Sequence, residues 1–158
     1  MLALVLLLGC FGTSVIDLGS PADVGYAVTS SQGYIYTAGL AHGQYGVARV
    51  NGSTGALSPG TAEQPWGFGL DAPPSPPVGW VGFNPGGGNV NATSMAIHNG
   101  AIYVTGSASG VLYNRAGFGV VSLLNGTASN VKTFSPTDEN NFGGYLAQAT
   151  GGDIFVVG

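Results

Sequence analysis

The sequence predicts an all-β chain, a β-propeller-like series of tandem four-stranded antiparallel meanders that is incomplete at two to three blades. Three observations carry the prediction. A glycine-bounded strand phrase occurs three times, each copy holds a short glycine turn at its centre, and the charged residues that exposed helices need are almost missing. Of 158 residues only 6% are charged, three basic against seven acidic, while glycine reaches 29. The i,i+4 ion pairs that support a surface helix have little to work with, whereas Val, Ile, Thr, Tyr, Phe, Gly, Ser and Asn suit strands joined by tight turns. A net charge of −4 with no basic stripe argues against nucleic acid as a partner. A surface this poor in charge must be kept soluble by neutral polar groups, by attached sugar or by burial against a partner.

At the start of the chain, "MLALVLLLGC" holds an apolar run from Leu2 to Leu8 that is too short to span a bilayer and has the outline of a secretory leader. Gly12-Thr13-Ser14 gives a small-x-small site and a signal peptide of 1–14; the competing reading is a lipobox, Leu7-Leu8-Gly9-Cys10, with the protein lipid-anchored at Cys10. The positively charged n-region is missing, and a third reading makes the segment a buried strand. Cys10 is the single cysteine, so there is no internal disulfide framework. Three N-x-S/T sequons, at Asn51, Asn91 and Asn125, lie in Gly- and Asn-rich contexts that read as accessible turns, and with the leader they point to an extracellular, glycosylated product with no transmembrane span.

The repeat domain is expected over 23–158, in units of about 23–70, 90–137 and 144–158. Its phrases are "GYAVTSSQGYIYTAG" (25–39), "ATSMAIHNGAIYVTG" (92–106) and "GYLAQATGGDIFVVG" (144–158), which align without gaps. Gln32-Gly33, Asn99-Gly100 and Gly151-Gly152 then sit at the centres of β-hairpins, Asn99-Gly100 most clearly because a type I′ turn needs positive φ at both central residues. "YGVARVNGSTGAL" (45–57) and "FGVVSLLNGTASNV" (118–131) follow the first two copies and read as a third strand, a turn and a fourth strand, with Tyr45-Gly46-Val47 matching Phe118-Gly119-Val120. Ile35 and Thr37 oppose Tyr34, Tyr36 and Ala38, and Ile102 and Val104 oppose Ala101, Tyr103 and Thr105. Both faces are largely apolar, which favours a blade covered on two sides over a sandwich sheet with one wet face.

On these phrases the chain resembles the repeats of SBBP-type and related quinoprotein-like β-propeller proteins, over about 23–57 and 92–131 with half a unit at 144–158. The resemblance implies a fold and an extracellular setting with adhesive or surface roles, and brings no catalytic or cofactor residue. Two departures stand out. The copies are spaced by 67 residues and then 52, where such repeats take about 40 to 50, so the first unit carries an insertion, 71–88, whose prolines at 73, 74, 76 and 77 are expected in an exposed polyproline-II loop. Two and a half units are also too few to close a ring of at least about four blades, so the open sheet edges are expected to pair with another copy or to belong to a longer product. Trp66, Trp80 and Phe83 flank the proline cluster and read either as a binding loop or, preferably, as aromatics tucking the insertion onto the blade.

Chemistry-bearing groupings are few. His42 and His98 are far apart and next to turns, and one cysteine in a leader makes no zinc site. Gly106-Ser-Ala-Ser-Gly110 fails the G-x-S-x-G pattern at Ala108, and Gly67-Phe-Gly-Leu-Asp-Ala72 matches a dinucleotide fingerprint in letters only, running into prolines where a helix is required. Asp138-Glu139-Asn140-Asn141 lacks the alternation of a calcium loop and reads as a solvated turn. No catalytic, cofactor-binding or metal residue is nominated and no cofactor is expected. The candidate binding positions are His42, Trp66, Trp80, Ser107 and Ser109, the loops Leu40–Gly43 and Ser107–Gly110 being expected on one face. The expected function is a secreted or cell-surface, non-catalytic structural or interaction module meeting protein or glycan, or itself through open sheet edges. The alternative is a fragment of a quinoprotein-like oxidoreductase or hydrolase whose active residues lie outside this chain.

Overall fold

Paired residues with positive φ reverse the chain at three places: Gln32 and Gly33 (53° and 80°), His42 and Gly43 (49° and 76°), and Asn99 and Gly100 (46° and 75°). Two positive φ values in succession make a type I′ turn, whose twist matches that of the strands it joins. The first and third of these turns follow the prediction. The second turns the expected loop at His42 into a two-residue hairpin connection. The computed structural model describes residues 6–8, 12–14, 18–70, 76–86, 88–109, 114–134, 145–148 and 153–157. The predicted turn at Gly151-Gly152, the Asp138–Asn141 cluster and Pro73 and Pro74 lie outside them.

The described residues are all-β, with no helix. Their strands are β1 (Leu6–Leu8), β2 (Gly12–Ser14), β3 (Val24–Ser31), β4 (Tyr34–Ala41), β5 (Gln44–Asn51), β6 (Trp80–Phe83), β7 (Val90–His98), β8 (Ala101–Ser109), β9 (Asn114–Ser122), β10 (Ala128–Phe134), β11 (Tyr145–Gln148) and β12 (Ile154–Val157). Two four-stranded antiparallel meanders, β3-β4-β5-β6 and β7-β8-β9-β10, form the body, and β1-β2 and β11-β12 are two-stranded ladders. The first meander differs from expectation in its last strand. Leu57 makes only an isolated bridge to Val50, and the fourth strand is Trp80–Phe83, drawn from the insertion. Pro59, two residues on, has no N–H to donate to a ladder, so a strand begun at Ala56 cannot run on. In "WVGF" the alternation sends Val81 and Phe83 to one face and Trp80 to the other, and both faces find apolar neighbours.

The second phrase is also re-registered. Gly39 pairs with Gly46 in the first sheet, but Gly106 pairs with Gly117 in the second, so Gly119 takes the place of Ala48 and the phrases are offset by two residues. A slip of two preserves which side chains share a face.

Equivalent bulges interrupt the first hairpin of each sheet, between Gly25 and Ala27 and between Ala92 and Ser94. The closing glycine of each phrase sits opposite. A Cβ on Gly39 would strike the carbonyl of Val24, and one on Gly106 the carbonyl of Asn91. The glycine that ends "IYTAG" and "IYVTG" is thus where a bulged neighbour comes too close for a side chain.

The main core lies between the sheets. Tyr36, Ala38, Tyr45, Val47, Val81 and Phe83 of the first pack against Val90, Ala92, Ile102, Val104, Ala108 and Val121 of the second, with Trp66 among them. The Tyr45 and Phe83 rings, edge to face at 5.6 Å, lie over Gly117 and Gly119: a Cβ at either glycine would collide with them. The Tyr45 hydroxyl donates to the Ser107 carbonyl at 3.3 Å. On the other face of the first sheet, Ile35, Val50, Ala41, Ala48 and Trp80 pack under Leu18 and Leu57, so β4 is buried on both sides.

Gly119→Val is expected to destabilise the fold by about 2 kcal/mol or more through overpacking against Phe83, read from the urea midpoint. Burial also raises the Tyr45 phenol well above its ordinary value near 10. The unfolded phenol then ionises first as pH rises, so the contribution of this group, complete at neutral pH, is lost from about pH 10 upward. The urea midpoint should fall over that range, and Tyr45→Phe should flatten the dependence.

Candidate binding groove

His42 and Trp80 come together although 38 positions separate them. The type I′ turn holds the imidazole over the indole, ring centroids 5.2 Å apart and planes within 5°. Its Nε2 lies 2.6 Å from the Leu18 carbonyl, which can only accept, so Nε2 carries the hydrogen. Asp23, itself buried, accepts from the backbone N–H of His42 (3.1 Å) and of Ser20 (3.2 Å), fastening the segment before β3 to the turn. Beside this stack a groove of about 430 Å3 is bounded by Phe68, Leu70, Pro76 and Val78. Leu70 and Val78 are exposed. Among the described residues lining it, His42 is the one titratable side chain, its Nε2–H donating to Leu18, and the rest is an aromatic and aliphatic surface for apolar groups.

Trp66 and Trp80 are both buried, Trp80 with an edge on the groove. Trp66 has no exposed surface; its indole N–H donates to the Leu123 carbonyl at 3.1 Å and its ring meets Tyr36 at 5.9 Å. Gly67 N–H donates to the Asn125 carbonyl at 3.1 Å, and Gly126 must be glycine-sized because a Cβ there would approach Gly67 and the indole. The loop after β5 is thereby pinned to the β9–β10 turn, the tucked arrangement favoured for these aromatics. Trp80 faces outward from the inter-sheet core but lies buried beneath His42. Ser107 is half-buried within β8, and Ser109 ends that strand, short of residues 110–113, which are outside the described set.

The sequons divide by setting. Asn51 closes β5, its Oδ1 accepting from the N–H of Ser53 and Thr54 at 2.9 and 3.0 Å, and Asn125 sits in the β9–β10 turn, its Oδ1 accepting from the Thr127 hydroxyl at 2.7 Å. Asn91 lies inside β7, between the buried Val90 and Ala92, and not in a turn. The apolar neighbours on the inward face hold it in the strand, a tertiary influence that the local Gly- and Asn-rich composition does not reveal.

One polar residue was passed over in the sequence. Arg49 is buried on β5, where its guanidinium lies 4.5 Å from the centre of the Tyr34 ring and 4.9 Å from that of Trp66, and its Nε donates to the Ser58 carbonyl at 3.1 Å. The signal available was its position in "YGVARVN", at an alternation site shared with Tyr45 and Val47. Among the described residues no group of three or more metal-ligating side chains comes together, and no helix is long and apolar enough to cross a membrane.

In comparisons with known proteins, no family model, no curated protein and no solved structure matches this chain.

Trp66→Phe keeps the ring and removes the donor, leaving the Leu123 carbonyl without it; the expected loss is about 1 kcal/mol. Trp66→Ala, which empties the space between the sheets, should cost about 3 to 5 kcal/mol in the same denaturation measurement.

Proposed function

We propose that this chain is a segment of a secreted or cell-surface β-propeller-type repeat protein, of the SBBP-like and quinoprotein-like kind its phrases resemble, and that it serves as a non-catalytic structural and interaction module in adhesion or matrix assembly. The observation that carries the reading is the way the two meanders stack. β7, the first strand of the second sheet, lies across β3, β4 and β5 and most closely against β3, β6 lies against β10, and β11, the first strand of the third copy, lies against β7 and β8. Successive units laid first strand to first strand are what a radial array of blades requires.

The surfaces fit an interaction role. Tyr26 and Val28 are exposed on β3, an edge strand of the first sheet, and an edge with exposed apolar residues is a site where another strand or chain can add. The His42 groove adds a largely apolar surface suited to holding a protein partner. Sugar at Asn51, Asn91 and Asn125 would supply the solubility that 6% charged residues do not.

Sedimentation velocity and intact mass of the secreted product test the reading together. The expected result is concentration-dependent association, weakened by Val28→Lys, and a mass that falls on treatment with a peptide N-glycosidase. A strictly monomeric species with all three asparagines unmodified would count against both the assembly role and the extracellular one.

A further inference from the structure

Arg49 is one of three basic residues in the chain, and it is the one placed inside. Taking a guanidinium out of water costs several kcal/mol unless charge and hydrogen bonds replace the lost solvent. The replacements here are all neutral: the Tyr34 and Trp66 rings, the Ser58 carbonyl and the Tyr36 hydroxyl. No carboxylate among the described residues pairs with it. Glu63, the acid of the neighbouring loop, is exposed and accepts from the Thr61 hydroxyl and its own backbone N–H. Desolvation accordingly pulls the Arg49 guanidinium below its ordinary value, although it stays charged at neutral pH.

The guanidinium borders a pocket of about 280 Å3 at the end of the molecule where the turns of both sheets meet. Gln32 comes from the β3–β4 turn, Thr61 and Gln64 from the loop after β5, and Leu123 and Leu124 from the β9–β10 turn. The pocket thus joins one buried positive charge, a rim of neutral hydrogen-bonding side chains and an apolar wall.

We propose that this pocket is a binding site for a small organic carboxylate, the carboxylate meeting the pocket-facing edge of the Arg49 guanidinium and the organic body resting on Leu123 and Leu124. A single cation balances a monoanion, and the planar guanidinium fork matches a carboxylate in shape. A phosphate dianion would bring a second negative charge that no other basic residue at the pocket meets. The volume stands at the lower end for ligand pockets, which restricts the body to about the size of one ring.

The test is titration of the full chain, followed by amide chemical shifts and by the thermal midpoint, with sodium benzoate and sodium galacturonate as carboxylates of apolar and sugar body. Benzamide serves as the uncharged counterpart and inorganic phosphate as the competing anion. At least one carboxylate should saturate, move the amides of Thr61, Gln64 and Leu124 and raise the midpoint; benzamide and phosphate should not. Gln64 is exposed, so Gln64→Glu leaves the core intact and should weaken carboxylate binding about tenfold or more by placing a negative charge on the rim. Arg49→Met should abolish binding, and Gln64→Glu keeps the test decisive if that variant does not fold. Absence of saturation with both carboxylates, equal binding of benzamide or phosphate, or an unchanged affinity in Gln64→Glu would each overturn the proposal.

Discussion

The packing of two aromatic rings onto a floor of glycines is the contact on which the rest of this structure depends. Tyr45 and Phe83 reach across from the first sheet and occupy space that Gly117 and Gly119 leave open in the second. Large rings on one sheet and missing side chains on the other let the sheets interdigitate at interior density, which apolar surfaces of uniform height would not achieve. Several other features follow from it. The register of β8 and β9 brings Gly106 and Gly117 together, β6 must be the strand that carries Phe83, and the loop between β5 and β6 must be long enough to bring Trp80–Phe83 back beside β5.

That loop has become part of the fold. Trp66 inserts between the sheets and bonds to the Leu123 carbonyl, and Gly67 bonds to Asn125, so a stretch from the first repeat closes over the last turn of the second. Arg49 is drawn inside by the same arrangement, its guanidinium lying by the indole on one side and by Tyr34 on the other. In a chain with so little charge, Arg49 stands out as an enclosed cation without an acidic partner among the described residues.

Legibility differs between turns and contacts. Asn99-Gly100 and Gln32-Gly33 could be read because positive φ at two adjacent residues is a local demand that few residue pairs meet. His42-Gly43 meets the same demand but falls outside the repeated phrase whose alignment marks the other two, and so was expected in a loop. The tuck of Trp66 was the preferred reading, but its partners Tyr36 and Leu123, like the pairing of His42 with Trp80, were out of reach, because no neighbour in the sequence announces them. The groove beside His42 was partly visible, since two of its three aromatic members, His42 and Trp80, were nominated and Phe68 was not.

By itself the sequence determined the strands of the repeated phrase, the turns at their centres and the repeated placement of closing glycines, because each depends on backbone conformation over a few residues. The tertiary structure alone decided that Trp80–Phe83 and not Ala56-Leu57 completes the first sheet, that the second phrase is offset by two, and that Asn91 lies in a strand. Those outcomes turn on which apolar side chains can be buried together across the two sheets. Burial is shared among residues distant in sequence, and no window along the chain contains both halves of the contact.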